Sequence, residues 1–443
     1  MRKNRWLRSL TALFVAAVVC CLLSVLIYNV PSVHDRLEWR LVSLRAQVWY
    51  ALFPPEEAVF TPNATVVAVS PNPTVVAIVQ ATLDAFDPTT TPTPTSGPTT
   101  TPTVTPTPTL EPTPIPSAVQ LDGVRHEYQH WNNCGPATLS MALSYWGWQG
   151  NQDDTAAVLK PSPRDKNVMP YEMEAFVEEH TGLRAVVRVG GDLDTLRRFI
   201  AAGYPVIIEK GFDVRGLGWM GHYQLLAGYD DANQRFNAYD SYEGDFTEGR
   251  TLLVPYSQVE TYWRHFNYVY LVIYPPDHES EVMALLGPQA DETANWEHAA
   301  QRASDEIVAQ TGRELYFAWF NRGTSLASLQ DYEGASAAFD QSLFQVYPTI
   351  DPDQRPWRML WYQTGPYRAY FYSGRYYQII NLATTTLGAM DEPILEESYY
   401  WRALASEALG DSSGAIADLR SCLQYHVGFQ PCTAALEQMG ISP

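Results

Sequence analysis

The sequence predicts an α+β domain over residues 118–276 and an all-α helical-repeat domain over residues 290–443, both placed behind an apolar anchor and a spacer. Three observations predict this. Between 118 and 276 helical signals come first and short β-forming segments follow, the order expected of an α+β domain with an antiparallel sheet. Beyond 290 a turn pattern recurs from Leu329 to Ser373 to Leu409, at spacings of about 44 and about 36 residues, which is the period of helix-pair arrays. Before 118, Asp87 to Pro116 is almost pure Thr and Pro and has no apolar periodicity.

The N-terminal elements follow from charge and hydropathy. Arg2, Lys3, Arg5 and Arg8 make residues 1–9 a basic tail, and Leu10 to Tyr28 is an uncharged run of about nineteen residues, enough to span a bilayer. The positive-inside rule puts the tail in the cytoplasm and the rest outside, as a single-pass signal anchor through residues 10–28. No small-x-small cleavage site follows the run. Over 30–53, Leu37, Leu41, Leu44 and Val48 recur at helical spacing beside Arg36, Arg40 and Arg45. This predicts a juxtamembrane helix that either lies on the membrane surface or continues the anchor. Residues 54–117 read as a disordered Thr/Pro-rich linker, because such a composition cannot bury enough apolar surface to offset its ordering entropy. An extended chain of this kind spans ~3.1 Å per residue.

The α+β domain is punctuated by caps and stops. Cys134 to Trp146 is a helix ended by Gly147, Tyr171 to His180 a second after Pro170, and Leu193 to Ala202 a third between Asp192 and Gly203. Strands are expected at Pro205–Glu209, at His222–Tyr229 and Gln234–Tyr239 around the turn Asp230-Asp231-Ala232-Asn233, and at Tyr268–Tyr274.

The chain of 443 residues carries a net charge of −20, which argues against a nucleic-acid partner, since that requires a phosphate-neutralising basic face. There is no phosphate-cradling Gly-Lys-Ser/Thr loop and no Cys-x-x-Cys pair, so no cofactor and no metal are expected. Of the 5 cysteines, Cys20 and Cys21 lie in the anchor. Cys422 and Cys432 are close enough to form a disulfide in an oxidising compartment, or else are two core cysteines. Cys134 remains unpaired, either as a reactive thiol or as a small buried hydrophobe.

Cys134 sits in Asn132-Asn133-Cys134-Gly135-Pro136-Ala137-Thr138 and opens a helix. The positive end of the helix dipole favours its thiolate, and Pro136 suits the first turn. The hairpin brings position 222 opposite 240 or 241, so His222 and Asp240 are expected to touch. An Asp on one imidazole nitrogen fixes the tautomer and turns the other nitrogen toward a thiol. Gln129, just upstream, can donate from its amide to a developing oxyanion. His126 and His130 lie nearby, His130 being the alternative base. Trp131, Trp146, Trp148 and Trp219 either line a cleft or fill the core.

These motifs carry a resemblance. Gln129, Asn133-Cys134-Gly135-Pro136-Ala137, Gly221-His222-Tyr223, Gly228-Tyr229-Asp230-Asp231 and Tyr239-Asp240 resemble the papain-like bacteriocin-processing cysteine peptidases, and more closely their stand-alone peptidase-like relatives. The resemblance implies a papain-like fold with Cys134 as nucleophile, His222 as general base, Asp240 as orienter and Gln129 as oxyanion donor. Two features depart from it: the chain lacks the ATP-binding domain of the transporter-fused members, and Ser241 stands where Pro is common.

In the second domain, Leu329-Gln330-Asp331-Tyr332, Ser373-Gly374-Arg375-Tyr376 and Leu409-Gly410-Asp411-Ser412, with Gly323, Ala403, Phe339 and Pro348, resemble tetratricopeptide repeats, with the middle unit the least regular. A helix from Glu292 to Thr311 leads the array. The expectation is a membrane-anchored extracytoplasmic cysteine peptidase acting on a peptide or protein substrate, with the repeats binding substrate or a protein partner. The alternatives are a silent peptide-binding module and an amidase or transpeptidase that uses the same site.

Overall fold

The computed structural model describes residues 115–162, 164–214, 217–243, 251–390 and 392–443. The basic tail, the anchor, the juxtamembrane helix and nearly all of the linker lie outside them. Among the described residues no helix is long and apolar enough to cross a membrane.

The first half runs β1 (Ala118–Gln120), α1 (Cys134–Tyr145), α2 (Gln152–Leu159), α3 (Pro170–His180), β2 (Arg184–Arg188), α4 (Leu193–Ala201), β3 (Val206–Val214), β4 (Gly218–Asp230), β5 (Arg235–Tyr239), β6 (Leu252–Pro255), α5 (Tyr256–Arg264), β7 (Tyr270–Tyr274) and α6 (Glu279–Leu286). The strands form one antiparallel sheet in the order β2-β7-β3-β4-β5-β6, with β1 against β4. Successive strand residues point to opposite faces. Leu225 accordingly joins a core with Leu139, Leu143, Met173 and Val177 from α1 and α3. Leu226 joins the opposite core with Leu196, Phe199, Val259 and Trp263 from α4 and α5. Every residue of β7 is buried because helices cover both of its faces.

The expected helices occupy their predicted places, and Asp192 caps α4 by accepting from the Thr195 N–H at 2.7 Å. The strands run longer than expected. β3 continues past Glu209 to Val214 because β4 pairs with it throughout, Lys210 facing His222 and Gly211 facing Gly221. Sequence reading passed over β1, β2, β6, α2, α5 and α6. α2 has little apolar periodicity, although the capping box formed by Asn151 and Asp154 marks its start.

The second half is helical: α7 (Glu292–Ala309), α8 (Gly312–Ser328), α9 (Tyr332–Asp340), α10 (Met359–Tyr362), α11 (Gly365–Tyr372), α12 (Tyr376–Gly388), α13 (Glu396–Ala408), α14 (Ser412–Tyr425) and α15 (Gln430–Gln438). The three echoed motifs fall at the turns α8–α9, α11–α12 and α13–α14. Each turn contains a left-handed residue, with φ of 62° at Gln330, 67° at Gly374 and 88° at Gly410. In the first and third turns an Asp caps the next helix, Asp331 accepting from Gly334 N–H and Asp411 from Gly414 N–H. Arg375 holds that position in the second turn and makes no side-chain cap, which explains its irregular motif. Cys422 and Cys432 form a disulfide that ties α14 to α15.

The halves share a core. Trp219 of β4 is 1% exposed, stacks on Phe266 and packs against Phe317 of α8. Arg358, 2% exposed, donates to the carbonyls of Leu217 and Trp219. The approach depends on the cross-strand pair Gly211–Gly221. A Cβ on Gly221 would lie 2.7 Å from Phe266 and 2.9 Å from Tyr362, and one on Gly211 would overlap the rings of His265 and Trp219. Gly211→Ala is therefore expected to lower stability by about 1–3 kcal/mol through overpacking, read as a reduced denaturant midpoint with an unchanged slope.

Candidate active site

Cys134 is the first residue of α1 and is partly buried. The loop before it is held from two sides. Gln152, 5% exposed, accepts from the backbone N–H of His130 at 2.7 Å and donates to the carbonyl of Tyr128 at 2.7 Å. Lys160, also 5% exposed, donates to the carbonyl of Asn132 at 2.8 Å and to Asn133 Oδ1 at 3.2 Å. These bonds hold Asn132 in a left-handed conformation, φ 55°, one residue before the helix cap. The turn presents the thiol at the positive end of α1.

His222 lies on β4 and Asp240 just past the end of β5. A β-bulge between Leu226 and Gly228 shifts the hairpin register, so Leu225 faces Tyr239. The direct opposition of 222 with 240 or 241 expected from the sequence is therefore corrected. Asp240 comes beside Gln224, and His222, two positions along the same face, reaches it diagonally. His222 Nε2 lies 2.9 Å from Asp240 Oδ1. Gln224 Nε2 donates to Asp240 Oδ2 at 2.7 Å, and the N–H groups of Tyr242 and Glu243 donate to Oδ1, each at 2.8 Å.

With Nε2 on Asp240, the other imidazole nitrogen is left for Cys134, to which His222 is hydrogen-bonded. The charges follow from this packing. Burial raises the Cys134 pKa, but the hydrogen bond and charge of His222, the Tyr223 backbone N–H and the Lys160 ammonium outweigh it, and the thiol ends below its ordinary value. Burial lowers the His222 pKa, but Asp240 and Cys134 together push it up to about 9. Burial disfavours the Asp240 carboxylate, yet His222, Lys210 and the Glu243 N–H hold its pKa far below the usual range. The thiol pKa is drawn down and the imidazole pKa is drawn up, each by the other, which is the direction that favours a thiolate–imidazolium pair.

Gln129 is placed differently. Its backbone N–H donates to the Ser241 carbonyl, and its side-chain Oε1 accepts from Ser241 Oγ at 2.9 Å. This leaves the Nε2 hydrogens as what Gln129 has to offer, and it does not line the cleft at Cys134. His130, the alternative base, faces Asp153 at 3.0 Å, and His126 Nε2 lies 2.7 Å from the Asp240 carbonyl. Trp219 is core, whereas Trp131 is 42% exposed with the Lys166 ammonium over its ring.

The cleft beside Cys134 and His222 is lined by Asn132, Lys166, Asn167, Val168, Glu209, Gly221, Tyr223 and Tyr362. Tyr362 comes from the helical half. Glu209, 5% exposed, is a buried acid whose pKa burial and the Cys134 charge push well above the usual carboxylate range. Sequence reading missed Lys160, Gln152, Gln224, Glu209 and Tyr362. Only Gln224 carried a signal, as the residue two along the strand from His222.

Residues 114–271 match the Peptidase_C39 like family. This segment holds Cys134, His222, Asp240 and Gln129, and with this geometry it carries a cysteine-peptidase-type, C39-like domain. The chain is also similar to the crystal structure of a C39-like peptidase from Bacillus anthracis, at 16% identity over 35% of this chain and 96% of that one, with a TM-score of 0.29. At that score the likeness decides nothing about the fold. No curated protein matches the chain.

The C39-like domain makes a substrate-independent prediction. Lys160→Met removes a positive charge beside Cys134, so the thiol should titrate at higher pH and the acid limb of its iodoacetamide alkylation should shift upward. Asp240→Asn should remove the support for the imidazolium and cut alkylation near neutral pH by about tenfold or more. Both are read from alkylation rate against pH by mass spectrometry of the Cys134 peptide.

Proposed function

We propose that the chain is a membrane-anchored, extracytoplasmic cysteine peptidase that hydrolyses peptide bonds through an acyl-enzyme on Cys134. The hydrogen-bonded relay Cys134–His222–Asp240, with His222 and Asp240 buried and Cys134 partly so, carries the reading. The thiolate attacks the peptide carbonyl carbon, an S–C bond forms, and the carbonyl π electrons move onto oxygen. The Cys134 N–H at the start of α1 supports that oxyanion, and Gln129 Nε2 is assigned as its second donor. His222 gives its proton to the departing amine as the C–N bond breaks. Water then attacks the thioester, His222 takes its proton, and the thiolate leaves.

The uncharged run at 10–28 and its basic flank support the anchor. The Cys422–Cys432 disulfide supports an oxidising compartment. Tyr362, standing in the cleft from the helical half, supports a role for that half in choosing substrate; its helix-pair turns are those of a tetratricopeptide-like array with a peptide or protein partner. The intact relay favours catalysis over a silent peptide-binding module.

The test is labelling of the purified full chain with an epoxide-type cysteine-peptidase probe, alongside hydrolysis of a mixed peptide library. Modification should be confined to Cys134 and lost in His222→Ala. Peptide hydrolysis should follow a bell in pH, with the alkaline limb near pH 9 where the His222 imidazolium deprotonates. A Cys134 no more reactive than an ordinary thiol, with no hydrolysis, would refute the reading.

A further inference from the structure

Where α3 of the C39-like domain meets α13 of the helical half, charged groups gather away from the catalytic relay. Asp165 is 2% exposed and lies in the loop between α2 and α3; Glu396 is 4% exposed and opens α13. His426 follows α14, inside the loop that the Cys422–Cys432 disulfide closes. One ligand atom from each of the three lies within 4.8 Å of those of the other two. His426 Nδ1 is 2.9 Å from Glu396 Oε1. Glu396 Oε2 is buried and has no hydrogen-bond partner.

That orphaned oxygen is the decisive observation. A buried carboxylate oxygen without a donor forfeits its full desolvation cost. Its surroundings make matters worse, because Glu172 and Glu397 also face Glu396 and Asp165 across the same seam. Lys160 lies near Asp165, but its ammonium is already bonded to Asn132 and Asn133. His426 meets Glu396 through Oε1, which leaves Oε2 without a donor.

We propose that Asp165, Glu396 and His426 bind a divalent cation of the zinc class, joining the peptidase domain to the helical half. Two carboxylate oxygens and one imidazole nitrogen suit a borderline cation such as Zn²⁺ better than Ca²⁺, which takes oxygen ligands. Three protein ligands leave room for a water. Side-chain rotations draw the three donors, which lie within 4.8 Å of one another, in to coordination distance, and His426 exchanges its bond to Glu396 for the metal. No motif announces the site, because its ligands stand far apart in the chain, at 165, 396 and 426.

The site sits close to the chemistry. Asp165 leads directly into Lys166, Asn167 and Val168, which line the Cys134 cleft. Its carbonyl also accepts from Asn132 of the loop before the thiol, at 3.4 Å. A cation there fixes one wall of the cleft to the helical half without touching the reacting atoms. It is independent of whether Cys134 is active.

The test is Zn²⁺ binding by the full chain, free of a histidine tag and stripped with a chelator. A Cys134→Ala background removes the thiol as a competing ligand. Equilibrium dialysis should find about one Zn²⁺ per chain, and added Zn²⁺ should raise the thermal midpoint. The near-isosteric variants Glu396→Gln and Asp165→Asn, and separately His426→Ala, should lose that equivalent and the thermal shift while keeping the far-ultraviolet circular dichroism of the parent. Binding that survives all three variants, or a parent that takes up no Zn²⁺ at micromolar free metal, overturns the proposal.

Discussion

The site depends on one buried charge. Asp240 is fully buried, and an isolated carboxylate there would cost several kcal/mol in lost hydration. It remains ionised because four groups point at it: His222 Nε2, Gln224 Nε2 and the N–H groups of Tyr242 and Glu243. Each of those partners is positioned by the hairpin. The β-bulge after Leu226 sets the register, the register puts Gln224 beside the strand end, and the backbone turn after Asp240 aims two amides back at the same oxygen. Asp240 in turn fixes the imidazole orientation and supplies the negative charge that keeps His222 protonated. The lowered thiol pKa then follows, because an imidazolium beside Cys134 outweighs the penalty of its burial.

A second constraint acts through the other face of β4. Trp219, Gly221, Tyr223 and Leu225 alternate onto a single face. Tyr223 and Leu225 belong to the core under α1, whereas Trp219 belongs to the core shared with the helical half. The division between them falls at Gly221–His222–Tyr223. Helix α1 and the helical half therefore pack side by side on one strand, and Cys134 and His222 lie at the line where they meet. Glycines at 211 and 221 make the approach possible, since a side chain at either would strike the rings of His265, Trp219, Phe266 or Tyr362.

What could be read in the sequence follows the same physics. The meeting of Cys134, His222 and Asp240 was legible because local rules place them: a thiol opening an apolar helix, and a hairpin with a clear turn. The register was legible only to within a residue or two, because no local signal announced the bulge. Gln129 was read from proximity in sequence, yet its side-chain oxygen is engaged by Ser241. Lys160 and Gln152 were invisible, since they serve the Cys134 loop from an α2 region of weak periodicity. Tyr362 was invisible for a deeper reason: its place in the cleft comes from how the two halves dock, about 140 residues along the chain from His222, and no window of sequence encodes that. In the helical half, the three left-handed turn residues and two Asp caps explain why the first and third motifs were easy to see and the second was not.

The docking also bears on what the C39-like domain is by itself. Trp219 is 1% exposed because Phe266, Phe317 and Tyr362 pack around it, and Arg358 from the helical half ties down the β3–β4 end by donating to the Leu217 and Trp219 carbonyls. Removing residues beyond 290 would expose an indole beside the catalytic strand, strip Tyr362 from the cleft and free the loop at Asn167, whose amide now donates to the Tyr362 carbonyl at 3.3 Å. A large apolar side chain returned to water forfeits about 1.5–3 kcal/mol, and here the loss falls on the strand that carries His222. The helical half is therefore a wall of the cleft as well as a surface of its own.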